Sequence, residues 1–431
     1  MAYFAKHVGA SIPDGNWNVR MQENAKPAAK PLEGLKVLDL TQFLSGPFGT
    51  MILGDLGADV VKVEPPAGEL SRSIPPHFVG DDSAYYMSVN RNKRSLVADL
   101  KDPGDLAQVK ALALAADVIV ENYRPGVLTR LGLSYEALSR EKPSLIWCSI
   151  SGFGQYGPWR DWPAYDMVVQ ALSGGMSLTG SVDGEPVRAG IPLGDLAAGM
   201  FGMIGLLAAL HECQRTGKGR WIDVAMFDCQ LSMLSYQAAY FLHSAQVPGR
   251  QGSRHDSIPT YRSFVAGDGK SVVVTANTEK MWQQMAAVLG RPELAQDARF
   301  ATDKARYANR DALWSEIEAA FLARDADDWM HRLIAAGVPA GVVNTLDRAL
   351  LNEHAAAREM VLELHADDAC NGHIGQSVRV AGNPLKFIGA SERDHAFPPP
   401  LGRDQQAILR DWLGAPAEPV ARVEHHVGPL V

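Results

Sequence analysis

What the 431-residue chain lacks already narrows what it can do. It has no excess of positive charge: 41 Lys and Arg stand against 49 Asp and Glu, and 41 − 49 = −8. That balance argues against a protein built to neutralise nucleic-acid phosphates or an anionic membrane surface. Its four cysteines, Cys148, Cys213, Cys229 and Cys370, form no C-x-x-C pair and have no histidine at zinc-ligand spacing, so reduced thiols are expected and a metal site is not. Residues 1–30 contain no apolar core of signal-peptide length, and the longest apolar run, 200–210, is too short for a bilayer span. A cytoplasmic protein is the expectation. There is no G-x-S-x-G elbow, and Lys218 is followed by Gly219 rather than Ser or Thr, which removes the α/β-hydrolase nucleophile and the Walker A loop.

What is present is an ordinary globular composition, 46% hydrophobic and 21% charged, able to bury a large core. From residue 35 the chain alternates between two periodicities. A short apolar strand over 35–40 leads through Gly46-Pro47 into a helical run over 48–56 that stops at Gly57, and a second strand follows over 59–64. Strand, helix and strand within about 30 residues is a right-handed parallel crossover. The theme repeats with strands over 95–100, 117–120 and 144–150 and a helix over 103–115, which predicts a doubly wound α/β domain. Helices over 195–214 and 226–245 flank a strand at 221–224. Residues 246–257 read as a linker, and 271 to about 350 as a smaller α/β domain. The expected division is an N-terminal extension 1–30, a large domain 31–245 to which 355–431 returns, and a linker with small domain over 246–354.

Gly152-Phe153-Gly154-Gln155-Tyr156-Gly157 is a G-x-G-x-x-G after a strand, but 158–163 (PWRDWP) is loop chemistry where a dinucleotide site needs a helix. An NAD(P)-dependent oxidoreductase is therefore the weakest of the functional alternatives. Two carboxylates beside helix starts, Asp195 in 190–196 (GIPLGDL) and Asp166 in 163–168 (PAYDMV), are open on spacing alone between helix caps and functional groups.

Six segments in order settle on one likeness: 31–40 (PLEGLKVLDL) with Gly46-Pro47, 53–64 (LGDLGADVVKVE), 90–95 (NRNKRS), 121–126 (ENYRPG), 151–155 (SGFGQ) and 216–219 (TGKG). Together they resemble the class III CoA-transferases, such as formyl-CoA and carnitine CoA-transferases, which are related to α-methylacyl-CoA racemases. The resemblance implies a Rossmann-like large domain, a smaller α/β domain, and an interlocked homodimer. It implies an enzyme that moves CoA from an acyl-CoA to a carboxylic acid, with CoA as substrate, no prosthetic group and no metal, and no nucleic-acid or membrane partner. Asp195 matches the family's nucleophile, expected to be ionised at neutral pH because a free Asp has a pKa near 3.9. Arg72, Ala98, Lys101, Asn122, Tyr123, Arg124 and Arg130 match CoA-binding positions.

A racemase of this family would carry a His-Asp pair where this chain has Tyr165-Asp166, and no histidine lies between His77 and His211. A phenol is a poor substitute for imidazole as a base at neutral pH. Transfer is expected, with racemisation as the alternative. The glycine run of formyl-CoA transferases is replaced by 254–261 (RHDSIPTY), and Gly-Glu-His-Thr near the C-terminus by Gly402-Arg403-Asp404-Gln405. The first departure points away from formyl or oxalyl groups toward larger carboxylates such as dicarboxylates, and the second leaves the role of 402–405 open; Tyr165, Asp166, Arg188 and His255 are candidate substrate-facing residues.

Overall fold

A computed structural model describes residues 30–415 apart from 368–369, 371 and 389–394. The expected extension, save Lys30, and the chain beyond 415 lie outside the described residues. Strand β1 (Lys36–Leu40) enters helix α1 (Ser45–Asp55) and returns as β2 (Asp59–Glu64). Helix α2 (Ala84–Val89) precedes β3 (Lys93–Val97), and α3 (Pro103–Ala115) precedes β4 (Val118–Glu121). Then come β5 (Ile146–Ser151), α4 (Asp166–Leu172), α5 (Leu193–Thr216) and β6 (Trp221–Ala225).

The six strands form one sheet in the order β3-β2-β1-β4-β5-β6, every pair parallel. A parallel sheet is covered on both faces, which is why its strands read as nearly continuous apolar runs. On one face Val37, Val118 and Ile150 pack with Ala197, Met203 and Leu206 of α5. On the other, Leu38, Val61 and Trp147 pack with Leu112 of α3 and with Ile408 and Trp412 of the C-terminal helix Gln405–Leu413. Each such fully buried side chain contributes about 1.5–3 kcal/mol. The strand order changes direction between β1 and β4, and the crevice at such a switch point is where open α/β sheets bind ligands.

Close packing of α5 depends on its small residues. A Cβ on Gly199 would lie 2.6 Å from the Ser45 carbonyl oxygen of α1. Only glycine allows that approach. The two helices therefore touch through backbone, and the second turn of α5 is fixed against the start of α1. Helix α5 runs 24 residues and is long and apolar enough, by length and composition, to cross a membrane. This corrects the expectation that the 200–210 run is too short for a span: the helix, expected over 195–214, adds 193–199 (LGDLAAG) before that run and the polar 211–216 (HECQRT) after it. Its inner face is in the core.

The single helix expected over 226–245 is two, Met226–Met233 and Tyr236–Ser244, separated at Ser235, whose φ of 48° breaks the helical path. A second core lies farther along the chain. It combines a three-stranded antiparallel sheet (Tyr261–Val265, Ser271–Thr275, Ala340–Val342) with helices that bury Trp282, Ile317, Phe321 and Trp329.

Candidate active site

The switch-point crevice is a cleft of about 460 Å³. Its walls bring together residues far apart in sequence: Gln42, Phe43 and Ser45, Tyr85, Asn122 to Pro125, Arg160, Tyr165 and Asp166, and Asp195. Asp195 is the third residue of α5. It is not the helix cap: Pro192 holds that position and no side chain there caps the amides. The cap comes from another helix. Asp166 Oδ1 accepts the Gly194 N–H at 2.7 Å and the Asp195 N–H at 3.4 Å, while Asp166 Oδ2 accepts from Gln170 Nε2 at 2.7 Å.

Burial, and then the neighbouring Asp166 charge, push the Asp195 carboxyl up to about 7, against a smaller opposing pull from the Ser45 hydroxyl. This corrects the expectation of a fully ionised aspartate. At neutral pH Asp195 divides between its two protonation states, and its conjugate base is far more basic than an ordinary carboxylate. Burial and the Asp195 charge likewise push the Tyr85 phenol up to about 12, which keeps it a hydrogen-bond donor facing the cleft.

The wall opposite is a clamped loop. Asn122 Oδ1 accepts the Gln42 N–H at 2.9 Å and its Nδ2 donates to the Gln42 carbonyl at 2.8 Å. Phe43 sits in the left-handed region at φ 62°, a conformation that side-chain-bearing residues adopt only when surroundings enforce it. Here the Phe43 N–H donates to Glu69 Oε2 at 2.8 Å, and Glu69 is itself paired with buried Lys62 at 3.0 Å. Asn122 thus lines the cleft but uses its amide to shape it.

Placement divides the expected site residues. Asn122, Tyr123, Arg124, Tyr165, Asp166 and Asp195 share the cleft. Arg130 stands at its edge: its Nη1 and the Arg160 Nη2 approach a Cβ position on Gly126 to 3.4 and 3.5 Å. Ala98 and Lys101 lie outside this cleft, at the end of β3. Ala98 is buried, with its N–H on the Glu64 carbonyl at 2.8 Å. Lys101 is exposed.

Arg72 is a correction. Its guanidinium is buried, donates Nε and Nη2 to both oxygens of Glu64 at 2.6 and 2.7 Å, and reaches Asp82 at 2.8 Å and the Tyr86 hydroxyl at 2.7 Å. A phosphate could not approach it without breaking those pairs. Arg188 is exposed and outside this cleft, its Nη1 donating to the neighbouring Ala189 carbonyl at 3.4 Å. His255 is likewise outside the cleft: it stacks between Tyr236 and Tyr261 and lines a separate cavity of about 210 Å³ with Arg254, Arg310 and Trp314.

Sequence reasoning missed Ser45, Tyr85 and Arg160. Arg160 lay in the segment dismissed as loop, and its only signal was a basic residue shortly before Tyr165-Asp166. The Gly152 loop is followed by turns, with no helix before α4. It lacks the helix N-terminus that a dinucleotide pyrophosphate needs.

Comparison with known proteins bears on this cleft. The model of CoA-transferase family III matches residues 32–405. An acetyl-CoA:oxalate CoA-transferase of Acetobacter aceti is 41% identical over 394 residues, covering 91% of this chain and 98% of that protein. A succinyl-CoA:glutarate CoA-transferase of Mus musculus is 38% identical over 400 residues, covering 93% of this chain and 90% of that protein. Among solved structures, a CAIB/BAIF family protein from Brucella suis aligns with a TM-score of 0.78 at 36% identity, over 89% of this chain and all of that one.

Proposed function

The chain belongs to CoA-transferase family III, and from that premise we propose that it moves CoA between carboxylic acids through covalent intermediates on Asp195. The observation that carries the reading is Asp195 itself: a carboxyl in the first turn of a buried helix, facing the switch-point cleft, with its pKa raised to about 7. A more basic carboxylate is a stronger nucleophile toward a thioester. It also lies closer to the CoA thiol, whose reference pKa is near 8.5, so forming the anhydride is less uphill by about 1.4 kcal/mol per pKa unit.

The sequence of bonds follows. One Asp195 oxygen attacks the acyl-CoA carbonyl, the C–S bond breaks, and CoA leaves as thiolate, giving a mixed aspartyl anhydride. The thiolate attacks the aspartyl carbonyl, releasing the first acid as a carboxylate and leaving an aspartyl-CoA thioester. An incoming carboxylate attacks that carbonyl, displaces the thiolate and forms a second anhydride. Thiolate attack on the new acyl carbon then yields the new acyl-CoA and restores Asp195. Tyr85, facing the cleft as a neutral phenol, supplies a donor for developing oxyanions. Arg124, Arg130 and Arg160 converge on one edge of the cleft, and guanidinium groups there suit the CoA phosphates. Lys101 and the Ala98 backbone belong to the same proposal for the distal nucleotide.

The acceptor proposed is a dicarboxylic acid. Support comes from the two relatives, whose named acids, oxalate and glutarate, both carry two carboxyl groups; the oxalate of the first keeps the oxalyl group, which the missing glycine run argued against, among the acids to be tested. The homodimer is also a proposal, and Met200, Phe201, Ile204 and Leu207 on the outer side of α5 support it, because they are exposed. Contiguous apolar surface of this kind marks association sites. A cytoplasmic, reducing setting is proposed on the four free thiols. The test is a transfer assay with succinyl-, acetyl- and oxalyl-CoA donors against a panel of mono- and dicarboxylic acids. Acid-dependent exchange of CoA supports the reading. Exchange of the acyl-CoA α-proton with deuterated solvent in the absence of any acid would instead establish a racemase.

A further inference from the structure

The nucleophile's helix is capped from outside by an acid, which is the reverse of what a helix N-terminus would offer a catalytic anion unaided. The free amides of a first turn and the positive end of the helix dipole stabilise negative charge placed beside them. Here the Gly194 and Asp195 amides are turned to Asp166 Oδ1. A Cβ on Gly194 would come within 3.0 Å of the same oxygen and 2.5 Å of Gln230 Nε2, so the tight seat of Asp166 requires glycine there. The partners of the Asp166 carboxylate are neutral donors, the two amides and Gln170 Nε2. Gln170 is fixed in turn by accepting the Ala189 N–H at 2.9 Å. Among the described residues no Lys, Arg or His forms an ion pair with Asp166.

We propose that Asp166 is a positioning residue with two separable effects on Asp195: its acceptor oxygen fixes the first turn of α5, and its carboxylate, held by neutral donors alone, sets a second acid against the nucleophile. This rests on Asp195 being the nucleophile. The other groups facing Asp195 are the Ser45 hydroxyl from α1 and the Tyr85 phenol from α2, with Tyr165 from the start of α4 and the Arg124 and Arg160 guanidiniums lining the same cleft. Of the carboxylates among these groups, Asp166 is the one that acts against Asp195 ionisation. The functional consequence is a basic nucleophile: an ionised Asp195 beside a second negative charge gains more by acylation than an isolated carboxylate would.

The two effects separate by substitution. Asp166→Asn and Asp166→Ser keep an acceptor for the Gly194 amide but remove the charge, and Asp166→Ala removes both. The readout is the pH dependence of single-turnover acylation of Asp195 by acyl-CoA, followed by mass spectrometry of the full-length protein. The acid limb should move to lower pH by about one unit in the Asn and Ser variants, in the sense expected when a like charge is removed. Asp166→Ala should in addition lose roughly tenfold in acylation at every pH, since the turn is no longer held. An unmoved acid limb in a folded Asn or Ser variant overturns the proposal. Failure of the wild-type protein to be acylated on Asp195 would instead overturn the mechanism on which it rests.

Discussion

Two sets of charged side chains meet around the cleft, and the fold treats them oppositely. Beneath it, buried charges are matched. Asp39 accepts from Lys93 at 2.9 Å and from the Thr41 and Thr50 hydroxyls, Lys62 pairs with Glu69, Arg72 with Glu64 and Asp82, and Arg91 with Asp55. Although burial works the other way, Lys93 and Lys62 hold the Asp39 carboxyl well below the usual range. In the cleft, by contrast, Asp195 faces a second carboxylate, and Arg124 and Arg160 line the same walls. The difference teaches how to tell a structural charge from a working one. Residue type does not decide it; whether the fold has already supplied the partner does.

The largest test of that contrast is Arg72→Ala. It leaves Glu64 buried without its bidentate partner and should lower folding stability by about 3–5 kcal/mol, measured by urea unfolding. Arg124→Ala should leave stability within about 0.5 kcal/mol. Equal effects in the two variants would erase the distinction.

Next in size is the price of an unmatched carboxyl. Asp195 has a folded pKa near 7, above its unfolded value, so the folded state binds more protons than the unfolded one between about pH 4 and 7. Stability contributed by the protonated group is therefore lost as pH rises through 7. Asp195→Asn should stabilise the protein at pH 8 by more than about 1 kcal/mol, with the gain vanishing below pH 4. Acylation should run the opposite way, falling about tenfold per pH unit below 7 as the nucleophile is protonated. A midpoint near pH 4 in both measurements would mean that Asp195 is an ordinary surface carboxylate.

Smaller still, Arg124→Ala or Arg130→Ala should raise KM for acyl-CoA about tenfold with little change in kcat, the worth of one charge-assisted hydrogen bond. Arg188→Ala, which removes an exposed side chain outside the cleft, should change neither KM nor stability beyond about 0.5 kcal/mol.

Much of the architecture was legible because parallel strands buried on both faces leave mostly apolar runs, unbroken in 118–120 and interrupted by a single charge in 37–40 (Asp39) and 60–63 (Lys62), punctuated by Gly57 and similar stops. Asp195 was singled out by the family resemblance, since spacing alone left it open between a helix cap and a functional group. What could not be read is what tertiary contact decides. Arg72 and Arg124 look alike along the chain, and only the approach of Glu64 and Asp82 makes one of them structural. The raised pKa of Asp195 comes from its burial in the cleft and then from Asp166, 29 residues away, docked against its helix. The break at Ser235 lies inside a continuous apolar pattern, so periodicity ran through it. His255 was expected to face substrate, and its stacking between Tyr236 and Tyr261 places it on another cavity.

The central claim is that CoA chemistry passes through Asp195, and one measurement meets it directly. The protein is incubated with acyl-CoA and hydroxylamine, digested, and mapped by mass spectrometry. The account predicts a hydroxamate on the peptide containing Asp195, dependent on acyl-CoA and absent in Asp195→Ala. Full transfer activity in Asp195→Ala, or a hydroxamate at a different carboxylate, would contradict it.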